Sequence, residues 1–332
     1  MPDVIDMLGA LPPAVTPGPA GPDLAAADVA RGHRALKQRR RRHLAGVAGT
    51  AAAGAVAVVL ATTSAPGPAA PPAAATHAPA KASPLMALAA RISASDSSQP
   101  GNASLQIVDH VSRGKVWDVY YGLFTDGGDL YSGDSKQTLM TAVAQHDNQA
   151  DGADSEVAAA REAATGDLAT ARIRMINTTP NDFFLSTAER EKLWKAGAAA
   201  RQALMRAKGI KTPLTMPTGQ ALQEQINNTL WNECTNALNW AGGNQEIRAG
   251  VLRLLSTIPK VTVVNSTTGG QPTLTITAGP TVFGAGSQEV LTVNATTGLP
   301  VSMVSTTPGV PPAMETFQVS RVTLADVQAG RF

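Results

Sequence analysis

Asp109-His110 and His146-Asp147 are the only places in this chain where a carboxylate stands beside an imidazole. Such a pair could do acid–base work, the carboxylate orienting the ring. Neighbouring residues on a strand point to opposite faces, however, so Asp109 and His110 are poorly set to cooperate. The favoured reading is surface polarity, with an extracytoplasmic hydrolase built on Asp109, His110 or His146 as the rival. Asp126, Asp129 and Asp134, with Gly127, Gly128 and Gly133, suggest a calcium loop. The EF-hand spacing and its closing glutamate are missing, and aspartate and glycine are what tight turns require. Nucleophile elbow, phosphate loop, dinucleotide fingerprint and paired-histidine zinc helix are all absent from the sequence. No catalytic residue, metal site or cofactor is expected. Trp194, Trp231 and Trp240 could line a lipid-sized groove between sheet and helices, although aromatics on amphipathic helices more often fill the core. Cys234, the single cysteine, can form neither an internal disulfide nor a cysteine-based zinc site and reads as a small buried hydrophobe.

The elements that would carry these residues follow from periodicity. Leu105, Ile107 and Val111, then Trp117, Val119, Tyr121 and Leu123, alternate as two adjacent strands turning at Arg113-Gly114. Asp126-Gly127-Gly128 turns the chain into a short strand over 129–133. Three helices are predicted over 155–176, 187–208 and 219–241, the last with Leu222, Ile226, Leu230, Cys234 and Leu238 along one stripe. Ile247, Val251, Leu254 and Ile258 form another stripe, stopped by Pro259. The last seventy or so residues read as a β-meander. Leu274, Ile276 and Ala278 alternate with threonines there. Strands over 290–294 and 301–305 flank the turn Ala295-Thr296-Thr297-Gly298, and 316–324 makes a last strand. The fold class expected is α+β.

The N-terminal quarter indicates location. Arg39, Arg40, Arg41 and Arg42 abut twenty uncharged residues, 44–63, rich in alanine and valine. A run of that length spans about 30 Å as a helix, the thickness of a bilayer's hydrocarbon core. The arginines fix its basic end in the cytoplasm and suit anionic headgroups. Forty-three preceding residues and the length of the run favour a retained anchor over a cleaved signal, which would give a secreted protein. The expected order is a largely disordered cytoplasmic tail (1–43), a transmembrane helix (44–63), a Pro/Ala linker (64–84) and an extracytoplasmic domain (85–332). Net charge is +2 overall, yet residues 85–332 carry nineteen basic against twenty-one acidic groups. Basicity is thus a juxtamembrane property, and nucleic acid is not an expected partner. Membrane lipid is one, and a lipid or envelope-protein ligand is another. Oligomeric state is left open.

Ile247-Arg248-Ala249-Gly250-Val251-Leu252, then Leu255-Ser256-Thr257-Ile258-Pro259-Lys260-Val261, leads to Val290-Leu291-Thr292-Val293-Asn294-Ala295-Thr296-Thr297-Gly298-Leu299-Pro300. This resembles a family of uncharacterised actinobacterial single-pass membrane proteins, many encoded beside extracytoplasmic-function sigma factors. Their turn usually carries aspartate where Asn294 stands. The strand–turn–strand is also similar to that of the lipoprotein-carrier and sigma-E-regulator half-barrels, whose curved antiparallel sheet wraps around helices and binds acyl chains or a partner's peptide. The resemblance implies a non-enzymatic binding protein with a link to sigma-factor regulation.

Overall fold

The structure, a computed structural model, describes residues 83–95, 100–150, 152–207, 215–284 and 286–332. The expected tail, the arginine cluster Arg39 to Arg42, the apolar run 44–63 and nearly all of the linker lie outside the described residues. Among the described residues no helix is long and apolar enough to cross a membrane.

The architecture is α+β. Eight antiparallel strands form one sheet: β1 (Ala103–Ser112), β2 (Lys115–Thr125), β3 (Leu130–Gly133), β4 (Thr262–Thr268), β5 (Gln271–Ala278), β6 (Gln288–Asn294), β7 (Pro300–Thr307) and β8 (Val310–Val322). Their spatial order is β3-β2-β1-β8-β7-β6-β5-β4. The first three strands thus pair, through β8, with a meander made by the last five. Between β3 and β4 the chain runs through helices.

The helices are α1 (Pro84–Ala94), α2 (Lys136–Ala144), α3 (Ala153–Thr165), α4 (Leu168–Ile176), α5 (Thr187–Ala196), α6 (Ala198–Ala207), α7 (Gly219–Ala241), α8 (Gln245–Leu255), α9 (Pro280–Phe283) and α10 (Leu324–Gln328). Two hydrophobic clusters form on the two sheet faces. The larger joins Leu85 and Leu88 of α1, the alanines of α3, the α7 stripe and α8 to Leu274, Ile276, Leu291 and Val293. In it Leu230, Cys234 and Leu238 are fully or almost fully buried, each leucine contributing about 2 kcal/mol. The smaller packs α2 and α10 over Ala103, Leu105, Leu123 and Tyr131, at the other face of the β1–β3 end.

Expected elements are realised with local differences. Strands β1 and β2 turn at Arg113 (φ 50°) and Gly114 (φ 72°), a two-residue turn whose twist suits the hairpin. The helix expected over 155–176 is two, because Gly166 ends α3 and the Asp167 carboxylate accepts from Thr170 N at 2.8 Å to start α4. Gly197 likewise divides the helix expected over 187–208 into α5 and α6. α2 is an additional helix, started by a reciprocal cap between Ser135 and Thr138. α1 opens with Pro84 at its first turn, where a missing N–H costs nothing. β8 begins six residues before the expected 316. Pro311 and Pro312 read as breakers, yet they fall at a register shift where no ladder partner is needed.

Candidate functional site

Burial along the central strands falls steadily toward one end of the sheet. β1 runs from buried at Ala103 to half-exposed at Ser112, β2 from buried at Thr125 to exposed at Lys115, and β8 is exposed over its first residues. Register brings these ends together, with Val111 opposite both Val116 and Met314. The β1–β2 hairpin and the start of β8 therefore project past the main helix layer as an open end.

Directly opposed residues share a sheet face. On the face that carries the α7–α8 core, His110 lies opposite Asp118 and Glu315, Glu315 opposite Met303, and Glu289 opposite Ser305. A bulge beside His110 turns Trp117 toward that ring, the centroids being 5.6 Å apart and the planes tilted 35°. His110 Nδ1 is 3.2 Å from Glu315 Oε1, an ion pair when the imidazole is protonated. Asp109 is on the other face, where it accepts a long hydrogen bond (3.4 Å) from Thr316 Oγ1. Trp117 is 62% exposed, and Val116, Val310 and Met314 on the same end are exposed as well. The open end thus carries an indole platform held by a histidine–carboxylate pair on one face, with Asp118 opposite His110, and exposed Val116 and Met314 on the other face.

Deeper on the same face, Glu289 accepts from Trp231 Nε1 at 2.7 Å and from Ser305 Oγ at 2.8 Å. Burial pushes its carboxyl up from the usual value. The two donated hydrogen bonds pull against that, and the nearby Glu315 charge adds to it. Trp240 Nε1 similarly donates to Glu156 at 3.0 Å. Trp231 and Trp240, expected as possible groove lining, are thus buried in the core with a buried glutamate accepting from each indole. Trp194 sits half-buried on α5. The sequence carried a signal for Glu289 that periodicity reasoning passed over: it shares the inward phase of Leu291 and Val293.

The aspartates of the suspected calcium loop have structural tasks. Arg321 grips Asp126 through both terminal nitrogens at 3.0 and 2.5 Å, Asn148 donates to Asp129 and Thr138 to Asp134. The Arg321 guanidinium holds the Asp126 carboxyl below its ordinary value. Among the described residues no group of three His, Cys, Asp or Glu could hold a metal ion. His146, exposed just past α2, has a positive φ of 52°. Asp109 meets the Thr316 hydroxyl and His110 meets Glu315 on opposite faces of the sheet, and Ser305 donates its hydroxyl proton to Glu289. Burial pushes the Cys234 thiol well up, so it stays an inert thiol.

The segments quoted for the family resemblance meet at one point. Arg248 of α8 donates to the carbonyls of Thr297 (2.8 Å), Gly242 (2.7 Å) and Gly243 (2.9 Å), pinning the β6–β7 turn to the α7–α8 corner. Burial lowers its pKa to about 10, leaving it charged at neutral pH. Asn294 Oδ1 accepts from Thr296 N and Thr297 N, both at 2.9 Å, so the amide fills the acceptor role an aspartate would have there. Gly298 has φ 69°, and a Cβ on it would press into Ile92 and Leu252. These residues build the fold. Compared with family models, curated proteins and solved structures, the chain matches none.

Proposed function

We propose that this is a non-enzymatic, membrane-anchored envelope protein whose outer α+β domain binds a protein partner through the open end of its sheet. The observation that carries the reading is Trp117. A large indole is exposed on a bulged hairpin, propped by His110 and Glu315, with Val116 and Met314 exposed on the opposite face of the same end. Exposed aromatic anchors of this kind mark contact surfaces, whereas isolated exposed aliphatics do not. Asp118 and Glu315 on its face of the sheet suit a partner segment that mixes apolar and basic side chains. A protein fits better than an acyl chain because Trp231 and Trp240 are committed to glutamates within the core. The curved half-barrel, the anchor over 44–63 and the link to sigma-factor regulation enter this reading from the sequence and its resemblance.

Two measurements test it. With tags at both termini, external protease on intact protoplasts should digest the C-terminal tag and spare the N-terminal one. A photo-crosslinking residue at position 117 should then give one discrete adduct in cells, absent when it is placed at the exposed Val264 of β4. A protected C-terminus, or adducts of equal strength at both positions, refutes the reading.

A further inference from the structure

Helices α5 and α6 differ from every other helix pair here. Among their described residues, Arg190 alone is buried, tacked to the body through Pro217 O (2.8 Å) and Asp182 (3.7 Å). Their other described side chains are exposed, apart from half-buried Trp194. Of nine large hydrophobic residues exposed among the described residues, four fall between positions 173 and 193: Ile173, Phe184, Leu185 and Leu193. Scattered single apolar groups need no explanation, but such a concentration does.

Charge along the chain is uneven as well. Residues 183–207 hold five basic groups against two acidic ones, while the remainder of 85–332 holds fourteen against nineteen. Both acids are engaged, Glu189 by the Ser186 cap and Glu191 by Lys195 at 3.8 Å. Lys192, Lys195 and Arg206 are exposed. Around them the helices present small side chains, Ala196, Ala198, Ala199 and Ala200, which permit close approach to a broad surface. Exposed Phe184 and Leu185 in the turn before α5 and Leu193 on it, with Lys192 and Lys195 alongside, are the composition of a segment that lies in a bilayer interface.

We propose that α5, α6 and the turn before them rest on an anionic bilayer surface. Phe184, Leu185 and Leu193 enter the headgroup boundary there, and Lys192, Lys195 and Arg206 meet lipid phosphates. A protein partner would account for the apolar groups alone. The basic excess of this stretch on an otherwise acidic domain favours anionic lipid. This contact is separate from the open end of the sheet, and it holds with or without the anchor proposed above.

The test uses the full chain reconstituted in vesicles, with a nitroxide on Ala199→Cys; Cys234 is buried and stays unlabelled. In phosphatidylglycerol vesicles the label should favour oxygen over a water-soluble nickel complex as relaxant. In phosphatidylcholine vesicles, in high salt, or with Lys192, Lys195 and Arg206 all changed to Glu, it should read as aqueous, with an unchanged circular-dichroism spectrum. A control label on Val264→Cys should read as aqueous throughout. Because the label reports depth at α6, loss of the anchor and loss of this contact give different results. An aqueous label in both lipids overturns the proposal. So does a label that stays shielded in phosphatidylcholine vesicles and in high salt alike, which would mean that a second copy or another segment covers the face.

Discussion

Gly250→Ala is the most decisive single perturbation of the fold. In the interior of α8 an alanine should help, since it is about 1 kcal/mol more favourable than glycine in a helix. Here, however, a Cβ would collide with the carbonyl oxygen of Ala160 on α3 and crowd Ala164 N at 3.1 Å. Both obstacles are backbone, so no rotamer change relieves them. The helices must part by about 1 Å or more, opening gaps around residues packed to crystal-like density. Overpacking of this kind costs about 3 kcal/mol, the upper end of the usual range, because backbone has to move. Subtracting the propensity gain leaves a net loss of about 2 kcal/mol. For a domain of this size that lowers Tm by about 4–8 °C, read by near-ultraviolet circular dichroism of the tryptophans. An unchanged or raised Tm would refute the close α3–α8 approach, because propensity would then be the only term left.

Arg248→Ala should cost about 3 kcal/mol in chemical denaturation, since it strips a charged donor from three carbonyls at once. Arg248→Lys should recover little, as one ammonium cannot reproduce the guanidinium's spread. Glu289→Gln tests the raised carboxyl. Because the folded protein holds that proton more tightly than the unfolded chain, its stabilising contribution is complete below the ordinary value of 4.5 and is lost as pH rises through the folded value. Unfolding free energy measured from pH 4 upward should therefore fall less in the glutamine variant than in the parent. Identical slopes would mean that burial does not raise the Glu289 carboxyl.

The pairing of each core indole with a glutamate also bears on how the helix layer is fixed. Trp231 and Trp240 are nine residues apart on α7, and their acceptors stand on a strand (Glu289 of β6) and on a different helix (Glu156 of α3). Hydrophobic burial is non-directional and would tolerate sliding of α7 between the two. Two directed hydrogen bonds at opposite sides of one helix remove that freedom.

Strand and helix positions were legible because their patterns are local. The β1–β2 hairpin turn, the whole of α7 and the positive φ at Gly298 follow from alternation, a four-residue stripe and a glycine in a turn. So did the assignment of Cys234 to the core and of the Asp/Gly cluster to turns. Less visible were the breaks at Gly166 and Gly197, where one glycine in an alanine-rich run decides between a long helix and two short ones. The pairing of β1 with β8, some two hundred residues apart in sequence, could not be read at all, since strand alternation states which face is buried but names no partner. That pairing sets Glu315 against His110 and Arg321 within reach of Asp126, and so creates both the open-end platform and the grip on the 126–129 turn. By itself the sequence determined the elements, their inward faces and the charge asymmetry along the chain. The tertiary structure alone decided which of the scattered polar residues meet, because contacts between distant segments depend on register and close helix packing that no local period encodes.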